Sequence, residues 1–169
     1  MKLAAIPAFK FLFLISLTIP GWLTYTDNEN KFSMNYPKEW AQKKVGTVTA
    51  FLSPQEDATD AFQENVNLML QDLSQQPMDL KQYTELSKKQ IIDAYGASAI
   101  LSSGPTTLGG QPAIVQVYNM TYQGRALKIK QYWFIKGKTA YLFSYTAEPA
   151  KFSKFEETAT AVINSFKFL

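Results

Sequence analysis

Apolar and polar residues alternate with a period of two along most of the chain, and the three-to-four spacing of an amphipathic helix interrupts that alternation twice. Two strand-like runs, residues 23–26 and 32–36, flank the turn-forming stretch Asp27, Asn28, Glu29 and Asn30 and predict a hairpin. Pro37 stops the second run, and the ring of Trp40 just beyond it is placed to cap one end of a sheet. A third strand is predicted over residues 47–52, ended by Ser53 and Pro54. An acidic connection then leads to a fourth over residues 65–73, with Val66, Leu68 and Leu70 on one side. A short strand at 99–102 leads through Gly104, Pro105, Gly109 and Gly110 into three long runs, 113–122, 126–136 and 139–146. The turns Gln123-Gly124 and Gly137-Lys138 join these into an antiparallel meander.

The first helix is announced by Asp79, an N-cap residue with Gln82 three places on to complete a capping box, and it stops at Gly96 after Tyr95. Leu80, Tyr83, Leu86, Ile91 and Tyr95 form its expected apolar stripe, opposite Lys81, Glu85, Lys88 and Lys89. A second helix near the C-terminus carries Phe152, Phe155, Ala159, Val162, Ile163 and Phe166 at helical spacing. In the meander, Leu127, Ile129, Trp133 and Ile135 alternate with Lys128, Lys130, Tyr132 and Phe134, and Tyr141, Phe143 and Tyr145 alternate with Ala140, Leu142 and Ser144. Both faces are therefore substantially apolar and need cover. The expected fold class is α+β, an antiparallel β-sheet covered by helices on both faces, an α/β/α sandwich.

Ahead of this domain, Met1, Lys2 and Lys10 precede an uncharged, mostly apolar run, residues 11–19, that ends at Pro20 and Gly21. Residues 1–21 thus read as a signal peptide or an N-terminal hydrophobic anchor, and residues 22–169 as one folded domain. The run is shorter than the ~20 apolar residues of a spanning helix, which favours export with cleavage over a permanent anchor. Basic residues number 17 against 14 acidic, and Lys2 and Lys10 belong to the leader, so the folded part is almost neutral. No nucleic acid is expected as a partner. Lys128 and Lys130 share a face with Tyr132 and Phe134 and read as a snorkelling pair at a sheet edge.

The chain holds no cysteine and no histidine. Disulfides, thiolate nucleophiles, imidazole bases and the usual zinc, copper, haem and iron–sulfur ligands are thereby excluded, and no cofactor is expected. What remains is carboxylate chemistry. Glu56, Asp57, Asp60 and Glu64 crowd the connection before the fourth strand, and Asp57, Asp60 and Glu64 are the candidate oxygen ligands for a hard cation such as calcium. Their spacing is not that of an EF-hand loop, and a solvated acidic loop is the competing account. No nucleophile elbow, P-loop or dinucleotide fingerprint occurs. Asn119 and Thr121 form a glycosylation sequon inside a strand, and Tyr132, Phe134, Tyr141, Phe143 and Tyr145 read as core rings rather than a ligand pocket.

Four segments carry a resemblance to a known family: FSMNYPKEW from Phe32, AFQENVNLMLQDL from Ala61, MDLKQYTELS from Met78 and SYTAEPAKFSKFEETATAVINSFKF from Ser144. Together they resemble the PsbP family, which includes the extrinsic photosystem II subunit, relatives outside photosynthesis and the bacterial envelope protein DcrB. The resemblance implies the fold described above and a non-enzymatic exported accessory protein. Such a protein docks to a protein or membrane complex through loops at the sheet ends, and peripheral membrane association is compatible with it. A monomer is expected, located in the periplasm, cell envelope or thylakoid lumen. In a photosynthetic host it implies a photosystem II subunit or assembly factor. Histidine-based metal sites of some members have no counterpart in this chain. The alternative is a ligand or cation carrier, or a weak carboxylate enzyme, centred on residues 56–64.

Overall fold

Turn residues divide residues 21–169, which the computed structural model describes, into ten strands and two α-helices. In order these are β1 (Trp22–Asp27), β2 (Phe32–Pro37), β3 (Ala41–Val45), β4 (Val48–Leu52), β5 (Asn65–Asp72), α1 (Leu80–Tyr95), β6 (Ile100–Leu108), β7 (Gln111–Tyr122), β8 (Arg125–Lys136), β9 (Thr139–Ala147), α2 (Phe152–Asn164) and β10 (Lys167–Phe168). A 3₁₀ turn at Ala97–Ala99 precedes β6. The expected leader lies outside the described residues. Among the described residues, no helix is long and apolar enough to cross a membrane.

The class is α+β with mostly antiparallel sheets, and the meander is as the turn signals required. There are two sheets, however, not one. Seven strands run in the order β3-β4-β5-β9-β8-β7-β6, and the N-terminal hairpin forms a separate sheet, β1-β2-β10. β10 pairs Lys167 and Phe168 with Ser33 and Phe32, and so draws the hairpin away from the meander. Two residues are too few to register as a strand in a periodicity reading. β3 was also unforeseen, because AQKKV is polar and its residues are mostly exposed. It pairs with β4 across a turn at Gly46, whose φ of +57° suits glycine. β6 runs on through Gly104 and Pro105 because it is an edge strand, where a missing N–H costs no ladder bond.

α1 is capped as its sequence requires. Asp79 Oδ1 accepts from the Gln82 N–H at 2.8 Å, Gln82 Oε1 accepts from the Asp79 N–H at 3.0 Å, and Gly96 donates to the Ile92 carbonyl at 2.8 Å. Its buried face is narrower than the predicted stripe. Tyr83 and Ile91 are buried, whereas Leu86 and Tyr95 face solvent. Tyr83 packs with Trp133, Ala140 and Leu142. Ile91 packs with Tyr118, Leu127 and Ile129. Cover on this side is thus given to β7–β9, while Val45 and Met69 of β3 and β5 stay exposed.

The opposite side holds the main core, and α2 shares it with the small sheet. Phe152, Ala159, Val162 and Ile163 of α2 are buried there with Phe134, Tyr141, Phe143 and Tyr145. Trp40 is buried between β2 and β3, edge-on to Phe155 at 6.4 Å, so it closes the core against α2. Lys128 and Lys130 are not at an edge, since β8 is interior. Lys128 lies 4.3 Å over the Phe152 ring and Lys130 donates to Glu156 at 2.9 Å, both snorkelling along α2.

Phe166, just past α2, touches both sheets: its ring centroid is 5.5 Å from Phe32, 5.8 Å from Phe134 and 5.0 Å from Phe143. Gly109 passes so close that a Cβ there would lie 2.8 Å from the Phe166 ring, and its φ is +57°. Asp27 makes a second tie. Its carboxylate accepts from the N–H groups of Glu29 (3.0 Å) and Asn30 (2.8 Å) and from Lys44 Nζ of β3 (2.8 Å). Burial opposes ionisation here, but these donors outweigh it and hold the carboxyl far below its usual range. Phe166→Ala is expected to cost about 3–5 kcal/mol in chemical denaturation, by emptying a ring-sized volume between the sheets. A loss below about 1 kcal/mol would show that the two sheets hold together without it.

Candidate functional site

The β4–β5 connection, the β7–β8 turn and the β9–α2 corner emerge at the same end of the large sheet, because Leu52 pairs with Asn65, Asn65 with Thr146, and Tyr122 with Arg125. The acidic connection is therefore opposed by basic residues distant in sequence. Lys151, at the start of α2, sets Nζ 2.8 Å from Asp60 Oδ1 and 3.0 Å from Glu56 Oε2. Lys154 pairs with Glu56 as well, and Arg125 pairs with Glu148. The Arg125 guanidinium also lies 5.5 Å over the Phe62 ring. Glu56, Asp60, Arg125, Glu148 and Lys151 surround an open recess of about 270 Å3.

The three predicted ligands do different things. Asp57 Oδ1 accepts from the Thr59 N–H at 2.7 Å and the Thr59 hydroxyl at 2.6 Å, a local turn that lowers its pKa. Asp60 is nearly buried. Its bond from Lys151 holds the carboxyl below the usual range, and Asp60 in turn raises the Lys151 ammonium. Glu64 lies inside, fully buried, with neither carboxylate oxygen hydrogen-bonded to a protein group. Burial pushes its pKa up, with the charge of Lys151 acting against that rise. The Ser53 hydroxyl is likewise buried and unpartnered. Among the described residues, no group of three or more acidic side chains is arranged to hold a metal ion. The structure brings Asp60 and Glu56 together on a lysine instead.

Sequence reasoning missed Lys151, Lys154, Arg125 and Glu148. The available signal was the pair Lys151 and Lys154 in the EPAKFSK stretch at residues 148–154, entering a helix with charge opposite in sign to the acidic loop. Next to this braced corner lies an uncharged recess of about 680 Å3, lined by Tyr95, Asn119, Met120, Leu127 and Pro149 among others. Three large apolar side chains are exposed on the elements around it: Tyr95 (40%), Leu101 (51%) and Tyr122 (58%). They stand on the C-terminus of α1, the start of β6 and the end of β7.

An α+β body of two antiparallel sheets with one helix inserted between β5 and β6 and another after β9 defines the class of protein to which these elements belong. The chain belongs to the PsbP-like protein family, whose model matches residues 21–168. Solved structures with this fold include cyanobacterial PsbP (CyanoP) from Synechocystis sp. PCC 6803. It is 14% identical, with a TM-score of 0.63 over 91% of this chain and 96% of that one. LpqN of Mycobacterium tuberculosis, described as involved in cell envelope biogenesis, is 10% identical, with a TM-score of 0.58 over 86% of this chain and 89% of that one. PA94 from Pseudomonas aeruginosa, a protein of unknown function, is 16% identical, with a TM-score of 0.54 over 83% and 94% of the two chains. At these identities the likeness is one of fold. No curated protein matches the sequence.

The buried Glu64 carboxyl has a stability consequence. Its folded pKa is raised above the unfolded value near 4.5, so the stability it supports is complete below that pH and is lost as pH rises through the folded pKa. Glu64→Gln removes this loss. The variant should match the wild type near pH 4 and melt higher at neutral pH, by roughly 2–4 °C for each kcal/mol recovered. Thermal melts from pH 4 to pH 8 check this, and a difference that is flat or shrinks with pH would refute it.

Proposed function

We propose that this protein is an exported, non-enzymatic accessory protein that docks to a protein or membrane complex through the connections at one end of its large sheet. The observation that carries this reading is the construction of that end. Three loops are cross-braced by Lys151, Asp60, Glu56, Arg125 and Glu148 beside an uncharged recess lined in part by exposed Tyr95, with Leu101 and Tyr122 exposed on β6 and β7. Rigid aromatic side chains on a braced frame lose little conformational freedom on binding, which favours association. Family membership supports the reading, as do the lack of histidine and cysteine and the apolar leader. The layered body, a sheet between helical layers in the α/β/α sense, serves here as a stiff platform for the loops. In a photosynthetic host, photosystem II is the first partner to test. In any other host the partner is an envelope complex.

A photo-crosslinking residue placed at Tyr122 in the native host is expected to trap one discrete partner. The same residue at Val45, 76% exposed at the opposite end of the sheet, is expected to trap none. Equal labelling from both positions, or none from Tyr122, would overturn the assignment of this end as the docking surface.

A further inference from the structure

The face of the large sheet beneath α1 is crossed by a row of uncharged polar residues that stability alone does not account for. Ser103 of β6, Gln116 of β7, Gln131 of β8, Ser144 of β9 and Asn67 of β5 stand opposite one another in consecutive register. The rows on either side are largely apolar, with Tyr118 opposite Ile129 in one, and Ile114, Trp133 and Leu142 in the other. Gln116 is fully buried, and neither its Nε2 nor its Oε1 has a protein hydrogen-bond partner, an arrangement that disfavours folding relative to an apolar side chain of similar size. Gln131, its neighbour in the row, donates to the Ser144 hydroxyl at 2.9 Å.

This row reaches an open groove of about 330 Å3 along the flank of α1, where the sheet emerges from under the helix toward β5. Gln131 and Leu142 belong to its floor, Gln71 and Met69 to the β5 side, and Ser87 and Gln90 to the helix. The Tyr83 hydroxyl donates to Gln71 Oε1 at 2.8 Å across the groove, which orients that amide and leaves its Nε2 group as a donor. Tyr95 and Tyr118 also line it, and no charged side chain does.

We propose that this groove binds a neutral saccharide. Amides present a donor and an acceptor side by side, the pattern that adjacent ring hydroxyls match, while tyrosine rings and Met69 meet the apolar face of a sugar. The uncharged lining selects against anions and cations, and the amide row interrupts the continuous apolar surface that a lipid chain would need. The volume lies at the small end of the ~300–1,000 Å3 usual for ligand sites. The groove lies along α1 away from the braced loops and shares Ala94 and Tyr95 with the uncharged recess, so its test reads Gln71, Gln90 and Gln131, which the docking reading does not use.

The test is NMR titration of the folded protein with maltose, cellobiose, N,N′-diacetylchitobiose, glucuronate and an uncharged blocked tripeptide, following the glutamine side-chain amide signals. At least one neutral sugar is expected to shift the Gln71, Gln90 and Gln131 amides saturably, with glucuronate weaker. Gln90→Ala, on the exposed side of α1, and Gln131→Ala are each expected to weaken binding about three- to tenfold. Absence of saturable shifts with all three neutral sugars, preference for the tripeptide, or binding unchanged in Gln90→Ala would overturn the proposal.

Discussion

The two sheets of this domain are held together by a ring, Phe166, packed where the end of α2 meets both. Its neighbours come from β2, β8, β9 and β10, so elements from both ends of the sequence meet at this ring, with Phe51 of β4 against Tyr25 and Tyr36 as a second aromatic contact between the sheets. Gly109 is required there because no other residue leaves room for the ring. The reversal after α2 then has a physical purpose: it sets Phe166 into the core and lays Lys167 and Phe168 along β2, converting a marginal two-stranded hairpin into a three-stranded sheet.

Once the small sheet is anchored in this way, α2 is fixed over the main core and Lys151 at its start is carried to the acidic connection. The charged corner at the sheet end is thus a downstream result of core packing. Its pairs are partly exposed and add little stability individually. Their effect is to order three loops relative to one another. Glu64 behind them is a buried carboxyl without a protein partner, so this corner retains a group that opposes folding at neutral pH.

Much of the candidate site was present in the sequence only as separate parts. The acidic residues were visible as a cluster, and a cluster of carboxylates reads as a cation site when nothing indicates its counter-charges. Lys151 and Arg125 lie far along the chain from Asp60, and their proximity arises from strand register. The groove beside α1 was less visible still, because Gln71 and Gln131 look like ordinary polar members of two alternating strands until the fold places both along the flank of α1.

Local signals were sufficient wherever the determinant was a few residues long. The Asp79 capping box, the Gly96 stop, the Gln123-Gly124 and Gly137-Lys138 turns and the alternation of the meander all act within one turn or one strand, and each is found where the sequence puts it. The family follows from the same order of elements. Which strand joins which sheet depended instead on contacts between distant residues: β10 on β2, Phe166 between the sheets, Lys44 on Asp27, Lys151 on Asp60. Such pairings are selected by the packing of the whole body, because an isolated two-residue strand or exposed ion pair has too little free energy of its own to specify a partner.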